Sequence, residues 1–417
     1  MRYLSILLLG YVQFGFNCTD IFINKTPFHI TARTLDFPLK LYTQSFETYS
    51  WYQKIFQTDI NLTHITSRAF SFYTGYLDVE NTTNLIANRD KVPEDKLAHW
   101  QNKYGFFGRL GFIGYTLTDG INTQGVSIAA LYLPGSVYPK YNPHDPRPAL
   151  GIYDLSNFIL GMANSTQDAL KLIMQYQLVE SAMYATSGLY IKDIPLHIVI
   201  RDKTGHSAVI EFIDGKTVIY DHATNVLTNA PDYEWQIKNL THYKTLSDKD
   251  AKASLPFAHF IPDYKTVIKY AQPEDAGLLG MPGDYTSVSR FVRASILTRE
   301  SPTPQNTDQA LYQANTILSS VTVPYYEATA TLWQSIKDLD NKRIYYRDLL
   351  YYDRDRIKQN TLNNGFVEYD LTKIDFVAFT PEQLNSGLKI TPEDQISGVL
   401  SINDIPGLND AKNLGFN

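Results

Sequence analysis

Runs of alternating and periodic hydrophobic residues divide the chain into predicted strands and helices. Two short β-prone runs, 21–24 and 29–33, are separated by Lys25-Thr26-Pro27, which predicts a hairpin that begins at Cys18. The nearly continuous apolar run 126–133 is typical of a strand buried on both faces. The first part of the chain is therefore predicted to be rich in β-structure.

The middle of the chain carries both kinds of pattern. Residues 154–175 have a helical periodicity that Asn164-Ser165 interrupts, which predicts two consecutive helices. Residues 195–223 contain three strand-like runs separated by turn residues, which predicts a three-stranded meander. Asp119-Gly120 is also typical of a turn and predicts a break in the β-structure there.

The C-terminal part returns to helices and then to strands. Ser287 is predicted to cap one helix, residues 305–320 predict a second, amphipathic helix, and strand patterns follow over 325–379. The predicted strands are joined by hairpins and not by βαβ crossovers. This order predicts an α+β fold in which helices cover antiparallel sheets.

Residues 80–103 differ from the sequence around them. They are polar and charged, and Pro93-Glu94-Asp95 predicts the start of a helix. We interpret this segment as an insertion on the surface of the main domain.

The two ends of the chain also differ from the main domain, residues 18–380. Arg2 is followed by the apolar run 4–16, which is too short to cross a bilayer and is typical of a signal peptide. Residues 1–17 are therefore predicted to be a signal peptide or another removed segment, and the protein is expected to be periplasmic or secreted. Residues 381–417 are polar and are predicted to form a C-terminal extension.

Composition narrows the classes of function. Hydrophobic residues make up 44% of the 417 residues, which is enough for a sizeable core. The net charge of -6 and the lack of a basic run exclude a general nucleic-acid binder. The nine histidines are scattered, and no HExxH or CxxC motif occurs, so no metal or cofactor is predicted.

Cys18 is the only cysteine, so no intramolecular disulfide can form. If the chain is cut just before Cys18, one residue carries both a thiol nucleophile and an α-amine that can act as general base. The alternatives are a small buried hydrophobe or a lipid attachment site. Phe16 and Asn17 are not the small residues of an ordinary cleavage site, so removal of residues 1–17 is predicted to need a second step, autocatalysis being one route.

Four stretches follow one another in a specific order. They are Cys18-Thr19 with ARTLDF (32–37), NTQGVSIAALYLPG (122–135), VLTNAP (226–231) with NLTHY (239–243), and GMPGDYTSVSRFVR (280–293). Together they resemble the choloylglycine hydrolase family, the penicillin V acylase and bile salt hydrolase group of N-terminal nucleophile (Ntn) hydrolases. The resemblance implies a four-layer αββα sandwich, with two antiparallel sheets between helix layers.

The resemblance implies that Cys18 is the nucleophile and that its α-amine is the base. A thiol has a pKa near ~8.5 and an α-amine near ~7.7–8.0, so the amine can accept the thiol proton near neutral pH. Arg33 would favour the thiolate, and Asp36 would hold the α-amine by a charge-assisted hydrogen bond. The ordinary alternative for Arg33 and Asp36 is a surface ion pair of little energetic value.

Three further residues match the pattern of the family. Asn229 would donate its side-chain N–H to the oxyanion, and the backbone N–H of Tyr132 would supply a second donor. Arg290 matches an arginine of the active site. The ordinary alternatives are strand packing for Tyr132, a turn for Asn229 and an exposed helix position for Arg290.

These residues lead us to expect an exported amidohydrolase that cleaves the amide bond of an N-acylated small molecule. Tyr132 stands where penicillin V acylases carry tyrosine and bile salt hydrolases typically carry asparagine. It therefore favours a substrate like penicillin V or an N-acyl homoserine lactone, and aromatic residues in 37–56 and around 131–133 are candidates to line the acyl pocket.

Two alternatives stay open. The first is a bile salt hydrolase, and the second is a non-catalytic, lipid-anchored or secreted binding protein of the same fold in which Cys18 is acylated or buried. The resemblance also implies a homo-oligomer, a tetramer in many relatives. After residue 17 no apolar stretch is long enough to form a transmembrane helix, so no stable membrane insertion is predicted after processing.

Overall fold

A computed structural model describes most of the main domain. The described residues are 18–37, 72–83, 85–111, 116–184, 190–192, 194–248, 277–324, 330–349 and 366–377. The predictions made for residues 1–17, for the aromatic stretch after residue 37 and for residues 381–417 lie outside these ranges.

Strands are the most frequent regular elements of the described structure. Their bounds are β1 (Cys18–Lys25), β2 (Phe28–Phe37), β3 (Phe72–Gly75), β4 (Glu80–Thr82), β5 (His99–Gln101), β6 (Phe106–Gly111), β7 (Thr116–Asn122), β8 (Val126–Tyr132), β9 (Ala149–Gly151), β10 (Gln177–Val179), β11 (Ala182–Tyr184), β12 (Tyr190–Lys192), β13 (Leu196–Asp202), β14 (Ser207–Ile213), β15 (Lys216–Asp221), β16 (Val226–Leu227), β17 (Ala330–Asp338), β18 (Arg343–Asp348) and β19 (Val367–Asp370).

The helices occupy the intervals between groups of strands. They are α1 (Leu155–Met162), α2 (Thr166–Ile173), α3 (Tyr233–Leu240), α4 (Ser287–Glu300) and α5 (Thr307–Val321). Each of the last four begins after a polar residue whose side chain accepts a backbone N–H of the first turn. These caps are Ser165, Asp232, Thr286 and Asn306.

Two antiparallel sheets form the centre of the domain. One has six strands in the order β16-β1-β2-β17-β18-β19, and the other has seven in the order β15-β14-β13-β8-β7-β6-β3. The hairpin β1–β2 thus lies inside the first sheet, where β1 also pairs with β16 and β2 with β17. Residues that are far apart in sequence therefore meet around Cys18.

Alternation along β8 shows how the sheets are layered. Ala129 and Leu131 pack in a core with the six-stranded sheet and with α4 and α5. Ile128 and Ala130 point the other way, into a second core with α1 and α2. The order of layers is α4 and α5, the six-stranded sheet, the seven-stranded sheet, then α1 and α2, as the predicted four-layer αββα sandwich requires.

Several predicted elements are confirmed. The N-terminal hairpin, the doubly buried strand β8, the paired helices α1 and α2 and the meander β13–β14–β15 all form where the sequence pattern placed them. Within the described part of the chain, no helix is both long and apolar enough to cross a bilayer.

Three local predictions are wrong. Asp119-Gly120 does not form a turn but lies inside β7, because Asp119 is buried and binds partners across the sheets. The helix expected at Pro93 is one 3-10 turn, Glu94–Lys96. The cap of α4 is Thr286, and Ser287 is the first residue of the helix.

The segment 80–103 is not confined to the surface as predicted. Val92, Leu97 and Trp100 are buried, and Trp100 packs edge-to-face on Phe158 of α1 with the ring centroids 5.5 Å apart. The segment therefore contributes to the core. That it is an insertion stays a prediction.

Candidate active site

Cys18 is the first residue of β1 and is fully buried. Its Cα is paired with that of Leu35 on β2. Because side chains alternate along a strand, Arg33 shares the face of Leu35 and Cys18, whereas Asp36 lies on the opposite face. The first face is turned toward the seven-stranded sheet and the second toward α4.

Arg33 approaches the sulfur of Cys18 on the face between the sheets. Its Nη2 lies 3.9 Å from Cys18 Sγ and donates to the Ala130 carbonyl at 2.6 Å, while Nη1 donates to the Thr118 carbonyl. The guanidinium also lies over the Trp333 ring, 5.4 Å from its centroid. Two backbone carbonyls and an aromatic face thus fix a cation beside the thiol.

Burial nevertheless decides the acidity of this thiol. Burial raises the pKa of Cys18 above the ordinary range of a thiol, although the charge of Arg33 lowers it. The carboxylate of Asp36 also raises the pKa, and the backbone N–H of Asp36, which hydrogen-bonds the sulfur, lowers it. Arg33 therefore acts in the expected direction, toward the thiolate, but desolvation of the buried thiol is the larger effect.

Asp36 is buried on the face toward α4. Its Oδ1 accepts a hydrogen bond of 2.5 Å from Thr331 Oγ1, and its Oδ2 lies 3.8 Å from Arg290 Nη1. Burial raises the pKa of Asp36 from 3.8 to about 6, against the opposing effect of the Arg290 charge. Asp36 is therefore not part of a surface ion pair.

Arg290 reaches the main chain of Cys18 from α4. Its Nη1 donates to the Cys18 carbonyl at 2.7 Å and to Thr19 Oγ1, and its Nη2 donates to Asn229 Oδ1 at 3.0 Å. The Nε donates to the Tyr285 carbonyl at 3.0 Å. The side chain is fully buried, so an exposed helix position is excluded.

Asn229 closes the site at the backbone nitrogen of Cys18. Its Oδ1 accepts from Cys18 N at 2.6 Å, and its Nδ2 donates to the Tyr132 carbonyl at 2.7 Å. The backbone N–H of Asn229 donates to Ser287 Oγ at 2.9 Å. Tyr132 thus meets the site through its backbone, and its side chain packs in the core with α1 and α2.

The fold brings all six predicted residues into one buried cluster at the start of β1. They are Cys18, Arg33, Asp36, Tyr132, Asn229 and Arg290. Such a cluster offers a thiol, two fixed cations, a carboxylate and an amide within reach of one residue, which is a set of groups suited to acyl transfer.

The sequence was compared with models of known protein families. The family model of the "linear amide C-N hydrolases, choloylglycine hydrolase family" matches residues 18–374 of this chain. The match covers most of the chain and begins at Cys18. The chain belongs to the choloylglycine hydrolase family. As a choloylglycine hydrolase family member, it is a hydrolase of linear amide C–N bonds.

Curated relatives come from both branches of the choloylglycine hydrolase family. The chain is 31% identical to a bile salt hydrolase/transferase of Lactiplantibacillus plantarum over 260 residues, which are 60% of this chain and 74% of that protein. It is 25% identical to a penicillin V acylase of Pectobacterium atrosepticum over 306 residues, which are 66% of this chain and 69% of that protein.

Solved structures confirm the Ntn-hydrolase fold. A penicillin V acylase from Agrobacterium tumefaciens superposes with a TM-score of 0.58 at 20% identity, covering 87% of this chain and 89% of that chain. A mutant conjugated bile acid hydrolase from Clostridium perfringens gives a TM-score of 0.60 at 20% identity, covering 87% and 95%.

Some residues of the site were not predicted from the sequence. Ser287 holds Asn229 and stands inside the family-like stretch 280–293, so that stretch could have indicated it. Thr331 binds Asp36 across 295 residues of sequence, and no local pattern marks it. Thr118 acts through its backbone carbonyl, which leaves no trace in the residue type.

One group of side chains could hold a metal ion in the described part of the chain. His206, Asp221 and His222 place their ligand atoms within 4.8 Å of one another. His206 Nε2 lies 2.5 Å from Asp221 Oδ1, and the two imidazole rings are stacked with centroids 4.4 Å apart. The group lies at the end of the β13–β14–β15 meander opposite to Tyr132, so it takes no part in the Cys18 cluster.

Proposed function

We propose that this choloylglycine hydrolase family member is an exported enzyme in which Cys18, once residues 1–17 are removed, is the nucleophile. One observation carries the proposal. The only cysteine of the chain begins both β1 and the family match, with Arg33 at its sulfur and Asn229 at its nitrogen. In this reaction the thiol and the α-amine belong to one residue, so removal of residues 1–17 creates the base.

In the first step the α-amine of Cys18 accepts the thiol proton, and the thiolate attacks the amide carbon of the substrate. Arg33 stabilises the negative sulfur electrostatically. The resulting ammonium has Asn229 Oδ1 as an acceptor, because this oxygen already accepts from Cys18 N. Asp36 Oδ2 accepts no hydrogen bond from the described residues and supplies a negative charge on the α4 side.

The tetrahedral intermediate needs hydrogen-bond donors for its oxyanion. Asn229 Nδ2 carries two hydrogens, and the Tyr132 carbonyl takes one of them. The other can be donated to the oxyanion. The backbone N–H of Tyr132 points to the same strand edge as its carbonyl and is the second proposed donor.

Collapse of the intermediate breaks the C–N bond and leaves the acyl group on the sulfur as a thioester. The ammonium of Cys18 returns its proton to the leaving amine, which restores the neutral α-amine. The same amine then takes a proton from water, and the hydroxide attacks the thioester carbon. The C–S bond breaks, the acid is released, and the thiolate takes the proton back from the ammonium, which restores the thiol and the neutral amine.

Tyr132 supports an N-acylated substrate of the penicillin V or N-acyl homoserine lactone type. The support is the identity of the residue at this position, as the resemblance implies, and not a contact of its side chain with the Cys18 cluster, since that side chain packs in the core with α1 and α2. A conjugated bile acid is the second candidate, and the 31% identity to a bile salt hydrolase/transferase favours it. A non-catalytic binding protein, the remaining alternative, is disfavoured by membership of a family of amide hydrolases.

The test begins with the intact mass and N-terminal sequence of the exported protein. The protein is then assayed for amine release from penicillin V, an N-acyl homoserine lactone and a conjugated bile acid. Because the chain has one cysteine, alkylation by iodoacetamide can modify only Cys18 among cysteines. We expect a mature chain that begins at Cys18, and loss of activity in proportion to its alkylation.

The variant Cys18→Ala is expected to fold and to be inactive on all three substrates, whereas Cys18→Ser keeps the α-amine and a trace of activity. A mature chain that begins upstream of Cys18, a lipidated Cys18, or an active Cys18→Ala protein would each contradict the mechanism. The fastest substrate of the three then decides between the penicillin V type and the bile acid type.

A further inference from the structure

The position of Asn229 depends on the two-residue segment Thr228-Asn229 that follows β16. The Asn229 side chain has to hydrogen-bond Cys18 N and the Tyr132 carbonyl at the same time. Two elements hold the segment. Ser287 of α4 accepts the Asn229 N–H and is hydrogen-bonded to Thr228 Oγ1, at 3.0 Å between the two hydroxyl oxygens.

The second hold comes from His197 on β13. His197 Nε2 lies 2.8 Å from the Thr228 carbonyl oxygen, and its Nδ1 lies 2.9 Å from Glu211 Oε1 on β14. His197, Thr228 and Glu211 are buried, with at most 1% of each exposed. This histidine and this carboxylate have no part in the reaction steps proposed for Cys18.

Hydrogen-bond valency determines where the protons of this pair lie. A carbonyl oxygen can only accept, so His197 Nε2 must carry a hydrogen and donate it to Thr228. One further proton must lie between Nδ1 and Glu211 Oε1. Both oxygens of Glu211 also accept from the backbone N–H of Tyr233, at 3.0 and 3.2 Å. Tyr233 is the first residue of α3, so Glu211 is held in place by the start of that helix.

We infer that His197 is a positioning residue for amide hydrolysis: with Glu211 as its partner, it holds the Thr228 carbonyl and thereby fixes Asn229 against Cys18. The role of Asn229 in this inference rests on the proposed function. Because the Nε2 hydrogen of His197 is donated to the Thr228 carbonyl, it fixes the position of the Thr228-Asn229 segment relative to β13. Loss of that donor leaves the buried Thr228 carbonyl without a hydrogen bond, which is unfavourable. We expect the Thr228-Asn229 segment to shift until another group donates to this carbonyl.

The alternative is that His197 and Glu211 contribute only to the packing and stability of the core. The test therefore has to separate an effect on the position of Asn229 from an effect on stability. In Glu211→Gln, the amide can donate to a neutral Nδ1 while its oxygen still accepts from Tyr233, so the Nε2 hydrogen stays in place. Glu211→Leu removes the carboxylate that orients His197, and His197→Leu removes the donor to the Thr228 carbonyl. The chain also offers a matched control, since His206 and Asp221 form a histidine–carboxylate pair at the exposed end of the same meander.

The measurement is kcat and KM for penicillin V and for a conjugated bile acid, after intact mass has shown that each variant is processed at Cys18. We expect kcat of His197→Leu and Glu211→Leu to fall by about 10-fold to 100-fold with little change in KM, somewhat less than loss of a direct oxyanion donor. Glu211→Gln and His206→Leu should retain kcat close to that of the wild type.

Three results would overturn the inference. They are an undiminished kcat in His197→Leu, a loss in Glu211→Gln as large as in Glu211→Leu, and a loss confined to KM. If His197→Leu does not fold, the two Glu211 variants decide. Cys18→Ala assayed in parallel separates the two proposals. Activity in Cys18→Ala refutes the proposed function, whereas an inactive Cys18→Ala beside a fully active His197→Leu refutes only the role of His197.

Discussion

Two guanidinium groups approach Cys18 from opposite faces of the β1–β2 hairpin and act on different atoms. Arg33 lies beside the sulfur, whereas Arg290 binds the carbonyl oxygen and, through Asn229, the surroundings of the nitrogen. Substitutions of the two residues should therefore have different effects. Arg33 should control the acidity of the thiol, and Arg290 the placement of the main chain.

Replacing Arg33 by Leu should raise the pKa of the Cys18 thiol further. Burial already raises this pKa, and Arg33 is the first of the effects that oppose it. The pH dependence of alkylation of Cys18, followed by mass, should move to higher pH in Arg33→Leu and less so in Arg33→Lys. Arg109→Leu is the matched control, since Arg109 lies 5.3 Å from the centroid of the same Trp333 ring. An equal shift of the alkylation profile in Arg109→Leu would mean that the loss of any nearby positive charge has this effect, and that Arg33 has no special role at the sulfur.

Replacing Asp36 by Asn should remove a pH dependence of stability. The pKa of Asp36 is raised from 3.8 to about 6 in the folded chain, so between these values the folded state binds more protons than the unfolded state. The free energy of unfolding therefore falls as pH rises through this window, by about 3 kcal/mol for this carboxyl group. Urea unfolding at a series of pH values should show this fall in the wild type and lack it in Asp36→Asn. Parallel pH profiles would contradict the prediction.

At the scale of elements, the N-terminal turn of α4 supplies both Ser287 and Arg290 to the site. Thr286 caps it by accepting the Ser289 N–H at 3.3 Å. The cap therefore connects the stability of one helix end to the position of Asn229.

Thr286→Ala should lower the stability of the protein by about 1 kcal/mol and should also lower kcat. Ser165→Ala is the matched control, because Ser165 caps α2 in the same way on the other side of the sandwich. Urea midpoints should fall similarly in both variants, whereas kcat should fall only in Thr286→Ala. Equal kcat values in the two variants would mean that the cap does not position the site.

Elements with local determinants were predictable from the sequence. The apolar run of β8, the polar break between α1 and α2 and the turns of the meander each specify structure within a few residues. The turn predicted at Asp119-Gly120 was wrong because the ion pair of Asp119 across the two sheets overrides the local preference for a turn. The helix predicted at Pro93 was wrong because the chain turns only once, over Glu94–Lys96, between the buried residues Val92 and Leu97.

The site was predictable only in part. Cys18, Arg33 and Asp36 lie on one hairpin, so the sequence alone brings them together, whereas Tyr132, Asn229 and Arg290 were identified through the resemblance to a family. Residues that hold these six in place, such as Thr331 and His197, have ordinary types in ordinary strands. Their roles follow from contacts across the sheets, which no local pattern records.

At the scale of the whole molecule, a buried ion pair joins the two sheets behind the site. Lys337 of β17 binds Asp119 Oδ1 of β7, and Tyr346 of β18 donates to Asp119 Oδ2 at 2.9 Å. Both charged side chains are fully buried. Their pairing is required because either charge alone would lie in a medium of low polarity.

Lys337→Met should destabilise the protein by about 3–5 kcal/mol, because it leaves Asp119 buried without its cation. The double variant Asp119→Asn/Lys337→Met should recover part of this loss, since no charge then remains uncompensated. Thermal unfolding of the four members of this double-mutant cycle gives the coupling energy. Additive losses in the two single variants would show that the pair is not coupled.

The place of Cys18 inside a sheet also determines when its partners become available during synthesis. Cys18 is translated early, but Asn229 and Arg290 follow 211 and 272 residues later. A nascent chain that carries only the β1–β2 hairpin thus holds a thiol with neither its amide partner nor its second cation. The cluster around Cys18 can therefore form only after residue 290 has been translated, when most of the sandwich has been made.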